Sequence, residues 1–200
     1  MTNPFQRDFE EQSLQVLYRK MKKAAKARFN ASRRMQRQNQ WALWTLSLFS
    51  TGLIVLTLLP SSGIVLHATP QLQTFLQTVL ALLVLVLSLL LSAHNFSEKA
   101  EKMHRCALEM NALCHKILPF CQENTDQELY RKTFEEYGGI LNAYENHQNI
   151  DFDLVRLDMP QEYPLTNFEK FLIHIRYWLS FWLYVALLLV LPVTFYILLK

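Results

Sequence analysis

Leu80-Ala81-Leu82-Leu83-Val84-Leu85-Val86-Leu87-Ser88-Leu89-Leu90-Leu91 is the stretch on which the fold turns. A helix of a soluble domain keeps a polar face, and this stretch has none, since Ser88 is its single polar side chain. Such a segment needs a solvent that accepts apolar surface on every side, which is lipid. Extended outward, the run covers 72–93, 22 residues without an ionisable side chain. Two more uncharged runs stand at 41–59, 19 residues, and 177–199, 23 residues. About 20 helical residues cross the hydrocarbon core, so all three qualify as spans. Pro192 lies inside the third and predicts a kink there. The first run does not read as a signal peptide, because a basic segment of 40 residues precedes it and Leu59-Pro60 ends it.

The formal charge of the 200 residues, +3, hides an uneven distribution. Residues 1–40 carry ten Lys/Arg against three Asp/Glu, whereas 60–71 carry no charged residue. The excess of positive charge places the N-terminus in the cytoplasm and the short 60–71 loop outside. Residues 94–170 return to the cytoplasm with eight basic and fourteen acidic side chains. A third span over 171–200 then carries the C-terminus outside, with Tyr177, Trp178, Trp182 and Tyr184 as its aromatic collar. Arg33, Arg34 and Arg37 fall just before the first span. They either face the lipid headgroups or simply obey the topology rule.

The first two spans continue as helices below the membrane. Phe96, Ala100, Met103, Ala107, Met110, Cys114, Ile117 and Cys121 alternate steps of four and three. This is a coiled-coil-like seam, expected to run straight on from the second span through a stalk over 94–121. Leu14, Leu17, Met21, Ala24, Arg28, Ala31 and Met35 follow the same alternation in the basic arm, with one charged member. A short outer loop makes the two spans antiparallel neighbours, so the seams zip together or against a second copy of the chain. The fold class is therefore all-α: a two-span antiparallel hairpin with long cytoplasmic coiled-coil extensions, plus a third C-terminal membrane helix.

Thr125-Asp126-Gln127-Glu128 reads as a capping box that opens a second cytoplasmic helix over 125–150. Its aromatic stripe, Tyr130, Phe134, Tyr137, Leu141 and Tyr144, is expected in the core. Gly138-Gly139 inside it costs ~2 kcal/mol relative to alanine, which close packing against a neighbour would explain. Residues 151–170 read as an extended acidic connector, closed by a second capping box at Thr166-Asn167-Phe168-Glu169.

Catalytic signals are sparse. Four glycines cannot build a phosphate loop, and no Gly-x-Ser-x-Gly or His-Glu-x-x-His pattern occurs. His104, Cys106, Cys114, His115 and Cys121 lack zinc-ligand spacing. No metal, cofactor, catalytic residue or direct nucleic-acid binding is expected. In the second span Thr74, Gln77, Ser88 and Ser92 form a thin polar line that serves helix packing or a wet pore. Tyr144-Glu145-Asn146-His147 with Asp151 reads as an acid–base set or as a helix end in which Asp151 accepts from Asn146 and His147.

The segment Tyr137 to Asp151, with Tyr144, Glu145, Asn146, His147 and Asp151 as its specific core, resembles the SLATT family. So do two adjacent membrane helices with a long helix leaving the second, a likeness that covers about residues 10–170. The third span resembles the branch associated with reverse transcriptases. The resemblance implies a bacterial inner-membrane effector of conflict or antiphage defence that acts by abortive infection. It would oligomerise and form a pore when a genetically linked sensor, a reverse transcriptase or a nucleotide-signalling enzyme, triggers it. Tyr137, Tyr144, Glu145, Asn146, His147 and Asp151 then carry over as structural or coupling residues. Phe96, Met103, Met110 and Ile117 are the stalk seam by spacing alone. A non-conducting membrane anchor that recruits a cytoplasmic partner is the alternative.

Overall fold

The computed structural model describes residues 14–62, 68–121 and 127–199. Residues 1–13, the 63–67 part of the outer loop, Thr125 and Asp126 of the first capping box, and Lys200 lie outside the described residues. Seven α-helices are seen among the described residues, and no strand: α1 (Leu14–Leu58), α2 (Pro70–His94), α3 (Phe96–Ile117), α4 (Gln127–Ala143), α5 (Asn149–Asp158), α6 (Asn167–Leu179) and α7 (Trp182–Leu199). They divide into two compact units. Unit 1 draws on Met1–Met35 and Glu98–His174, and unit 2 on Gln36–Ser97 and Ile175–Lys200.

Unit 1 is organised on two apolar edges. Leu14, Leu17, Met21 and Ala25 of α1 pack with Cys106, Met110, Leu113, Cys114 and Ile117 of α3 and with Tyr137 of α4. Ala31 and Met35 meet Ala100 and Met103 in a second cluster. Each large side chain removed from water here contributes about 1.5–3 kcal/mol. Small residues at 25, 31, 100 and 107 let the two backbones approach between the methionines. From α4, Tyr137 alone of the aromatic stripe is fully buried, while Phe134 stacks on Tyr130 and is half exposed. Gly138 and Gly139 have open space where a Cβ would stand, so close packing is not what keeps them.

Two expectations for this unit need correction. α4 stops at Ala143, and the acidic stretch read as extended forms α5. Its buried residues are Asp151 and Val155, one turn apart. One of the two is a carboxylate, which erases the apolar period that would have announced a helix. The second apolar helix does run on into the stalk, over Pro70–Phe120, with one local interruption. α2 ends at His94, Asn95 takes a left-handed conformation with φ 46°, and α3 begins at Phe96. Asn tolerates that region as a helix C-cap. Phe96, grouped with the stalk seam by spacing, belongs to unit 2 and stacks on His94.

Unit 2 is built differently. Phe49, Leu56 and Leu80 are its fully buried centre, flanked by Leu53, Leu76, Leu83, Val84, Leu187 and Val190. Gly52 of α1 lies against α7, so that a Cβ built there would sit 2.7 Å from Leu191 Cδ2. Hydroxyls are satisfied inside their own helices: Thr45 donates to the Trp41 carbonyl (2.8 Å), Thr74 to Pro70 (2.9 Å) and Thr194 to Val190 (2.8 Å). Gln77 donates to the Leu56 carbonyl (3.1 Å), joining α2 to α1, whereas Ser88 and Ser92 are exposed. α1 and α2 are long and apolar enough to cross a membrane, and α6 with α7 makes a third candidate bent by 55°. The bend falls at Ser180–Phe181, and α7 continues through Pro192. Ser180 N donates to the Tyr177 carbonyl (3.2 Å) and Phe181 N to Trp178 (2.9 Å), a tightened last turn. Gln38 of α1 donates to the Ser180 carbonyl that the break exposes (3.5 Å).

Candidate functional site

Asp151 is fully buried in unit 1. It stands at the third position of α5, where its Oδ2 accepts from the Gln148 backbone N–H (3.0 Å) and completes the helix start. The same carboxylate receives Arg34 of α1 in a two-pronged contact, Nε to Oδ1 at 2.8 Å and Nη2 to Oδ2 at 3.0 Å. Asn30, one turn before Arg34, donates to the Asp151 carbonyl (3.3 Å). The planar guanidinium matches both oxygens, which a lysine could not do. A buried pair of this kind is a weak source of net stability, but removal of one partner leaves an uncompensated charge. The arrangement therefore acts as a latch between α1 and α5.

Arg34 is 3% exposed and so does not face lipid headgroups. Spacing near a membrane end suggested that role, but a buried carboxylate of α5 claims the side chain. Arg33 is exposed, and Arg37, in unit 2, donates to the Tyr177 hydroxyl (2.8 Å).

The other motif residues disperse. Tyr144 donates to Glu109 of α3 (2.5 Å), and Glu145 is exposed with its charge acting on Lys102. Asn146 Oδ1 accepts from the His147 N–H (3.0 Å) in the turn between α4 and α5. The acid–base grouping of Glu145, His147 and Asp151 is thus not assembled, and Asp151 accepts from Gln148 in place of Asn146 and His147. His147 Nδ1 is buried without a hydrogen-bond partner among the described residues. Burial, reinforced by the charge of Arg28, holds the imidazole below its usual range, against an opposing pull from Asp151.

Sequence spacing gave Arg28 a seam position but no role. It is 2% exposed, and its Nε has no hydrogen-bond partner among the described residues. Its charge also acts on Cys106 and Tyr137. The cysteines are free, and burial pushes the Cys114 thiol up to about 11. Among the described residues no three His, Cys, Asp or Glu side chains are grouped as a metal site would need.

The model of the SMODS and SLOG-associating 2TM effector domain family 5 matches residues 10–198, nearly the whole chain and past the 55° bend. This is a two-transmembrane effector domain associated with conflict systems. No curated protein and no solved structure matches the chain.

Proposed function

We propose that the chain, which belongs to this SMODS- and SLOG-associating two-transmembrane effector family, is a membrane effector of bacterial antiphage defence that assembles with copies of itself and breaches the inner membrane when a partner sensor triggers it. The observation that carries the reading is α1. It is one uninterrupted helix of 45 residues. Asn30 and Arg34 tie its first part to α5, and Phe49 and Leu56 bury its last part among apolar helices. Release of the Asp151 latch therefore acts on a helix that continues, unbroken, into the apolar unit. A reverse transcriptase or nucleotide-signalling enzyme encoded beside this chain would be the sensor and would meet unit 1 on the cytoplasmic side. The positive arm before the first span supports that orientation, with the C-terminus outside.

The test is leakage from liposomes holding the full chain. Wild type is expected to stay tight until the partner is added, and Asp151→Asn, which weakens the latch and keeps the side-chain shape, to release potassium and dye without it. Folded D151N protein that leaves liposomes tight with and without the partner would overturn the pore reading. It would leave a non-conducting anchor that recruits a soluble protein.

A further inference from the structure

A cavity of about 590 Å³ opens in unit 1 beside the latch. Its volume lies within the ~300–1,000 Å³ of small-molecule sites. One wall is a face of α1 that presents Arg19, Lys20 and Lys23. Phe152 of α5, Tyr163 and His147 make the opposite side. Phe152 and Tyr163 meet edge to face at 6.0 Å, and His147 lies 6.4 Å from Phe152. Three cations thus stand across from three rings.

Charge on this wall is only partly answered. Lys23 pairs with Glu162 and lies over the Tyr163 ring at 5.1 Å. Lys26, further along the same helix, pairs with Asp158 (3.1 Å). Glu162 also feels Arg19, but among the described residues one carboxylate faces three cations at this edge. Arg28 is buried, with its charge acting on both Tyr137 and His147, which line the cavity. His147 lines the cavity, and its buried Nδ1 has no hydrogen-bond partner among the described residues.

We infer that this cavity binds a small molecule carrying a phosphate on a planar ring, the class that includes aryl phosphates and mononucleotides. Arg19 and Lys20 take the phosphate, as guanidinium and ammonium groups do elsewhere. The ring lies against Phe152 and Tyr163, and His147 meets its polar edge. Phe152 follows Asp151 directly, so an occupant that moves Phe152 works on the residue next to the latch. The site stands whether or not the apolar helices conduct.

The experiment is titration of the detergent-solubilised full chain with phenyl phosphate, adenosine 5′-monophosphate and inorganic phosphate. Saturable binding of at least one ring-bearing probe is expected, tenfold or more tighter than inorganic phosphate. The double variant R19Q/K20Q, at two exposed positions, should lose tenfold or more with an unchanged melting temperature. Glu162→Gln should bind threefold or more tighter, because Lys23 is freed, and loss of folding cannot imitate a gain. No saturable binding of either ring-bearing probe, equal binding of inorganic phosphate, or affinities unmoved in both variants would overturn the inference. Repetition in phosphatidylcholine and phosphatidylglycerol nanodiscs separates the sources of phosphate. Equal affinity in both supports a soluble ligand, and displacement by phosphatidylglycerol would assign the cations to lipid headgroups and overturn it.

Discussion

α2 and α3 are neighbours in the chain, separated by Asn95 alone, and they treat apolar side chains in opposite ways. α3 buries Ala100, Met103, Cys106, Ala107, Met110, Leu113, Cys114 and Ile117 and turns Glu98, Glu101, Lys102 and Arg105 outward in two exposed ion pairs. α2 buries Leu80 and exposes Phe75, Leu82, Leu85, Val86, Leu89 and Leu90. One helix has a polar solvent around its outer face, and the other has an apolar one. The change from one pattern to the other falls between Leu91 and Glu98, a stretch that includes Asn95 with its left-handed φ. Unit 1 buries a charged pair, Arg34 with Asp151, while the hydroxyls of Thr45, Thr74 and Thr194 in unit 2 turn back onto their own helices.

The largest expected effect comes from breaking the charged pair. Arg34→Ala leaves Asp151 buried and unpaired and should cost unit 1 about 3–5 kcal/mol, read as thermal or denaturant unfolding in detergent. The double variant R34L/D151L should recover most of that loss. If it unfolds as readily as R34A, the pair is not the source of the effect. Next comes a lysine placed on each outer face. Leu85→Lys on α2 should oppose membrane insertion by about 2.5–3.5 kcal/mol. Leu108→Lys, on an exposed position of α3, should stay within about 0.5 kcal/mol in unfolding. Equal tolerance of both in a membrane-insertion assay would erase the contrast between the helices. At the junction, Asn95→Ala should destabilise by about 1–2 kcal/mol because alanine resists φ 46°, and Asn95→Gly should be nearly neutral. The smallest effect is a gain. Gly139→Ala, with open space for its Cβ, should raise the melting temperature, by about 0.5–1 kcal/mol of stability.

The membrane class was legible because Leu80 to Leu91 leaves no polar face to read. The packing of α3 was legible because Ala100, Met103, Ala107, Met110, Cys114 and Ile117 alternate steps of three and four, although Cys106 and Leu113, off that alternation, are buried as well. α5 was hidden for the opposite reason, since its inward face pairs Val155 with a carboxylate whose partner is 117 residues away. No local pattern can show such a partner. Arg34 was misread because any arginine just before a membrane span satisfies the topology rule, wherever its side chain goes. The Asn95 break carried a weak signal, an asparagine where apolar sequence turns polar, but asparagine also stands inside many helices. Asn30 donates its side-chain amide to a distant backbone carbonyl, Gln148 donates its backbone N–H, and neither carried a sequence signal.

The contact between Gly52 and Leu191 also limits how the apolar unit can rearrange. Leu191 fills the notch that the missing side chain leaves on α1. A slide of α7 by one helical turn, ~5.4 Å, would bring it against Phe49 or Leu56, both fully buried and without a notch. The contact thus marks one axial register of α7 on α1, in which Leu191 needs a residue without a side chain opposite it.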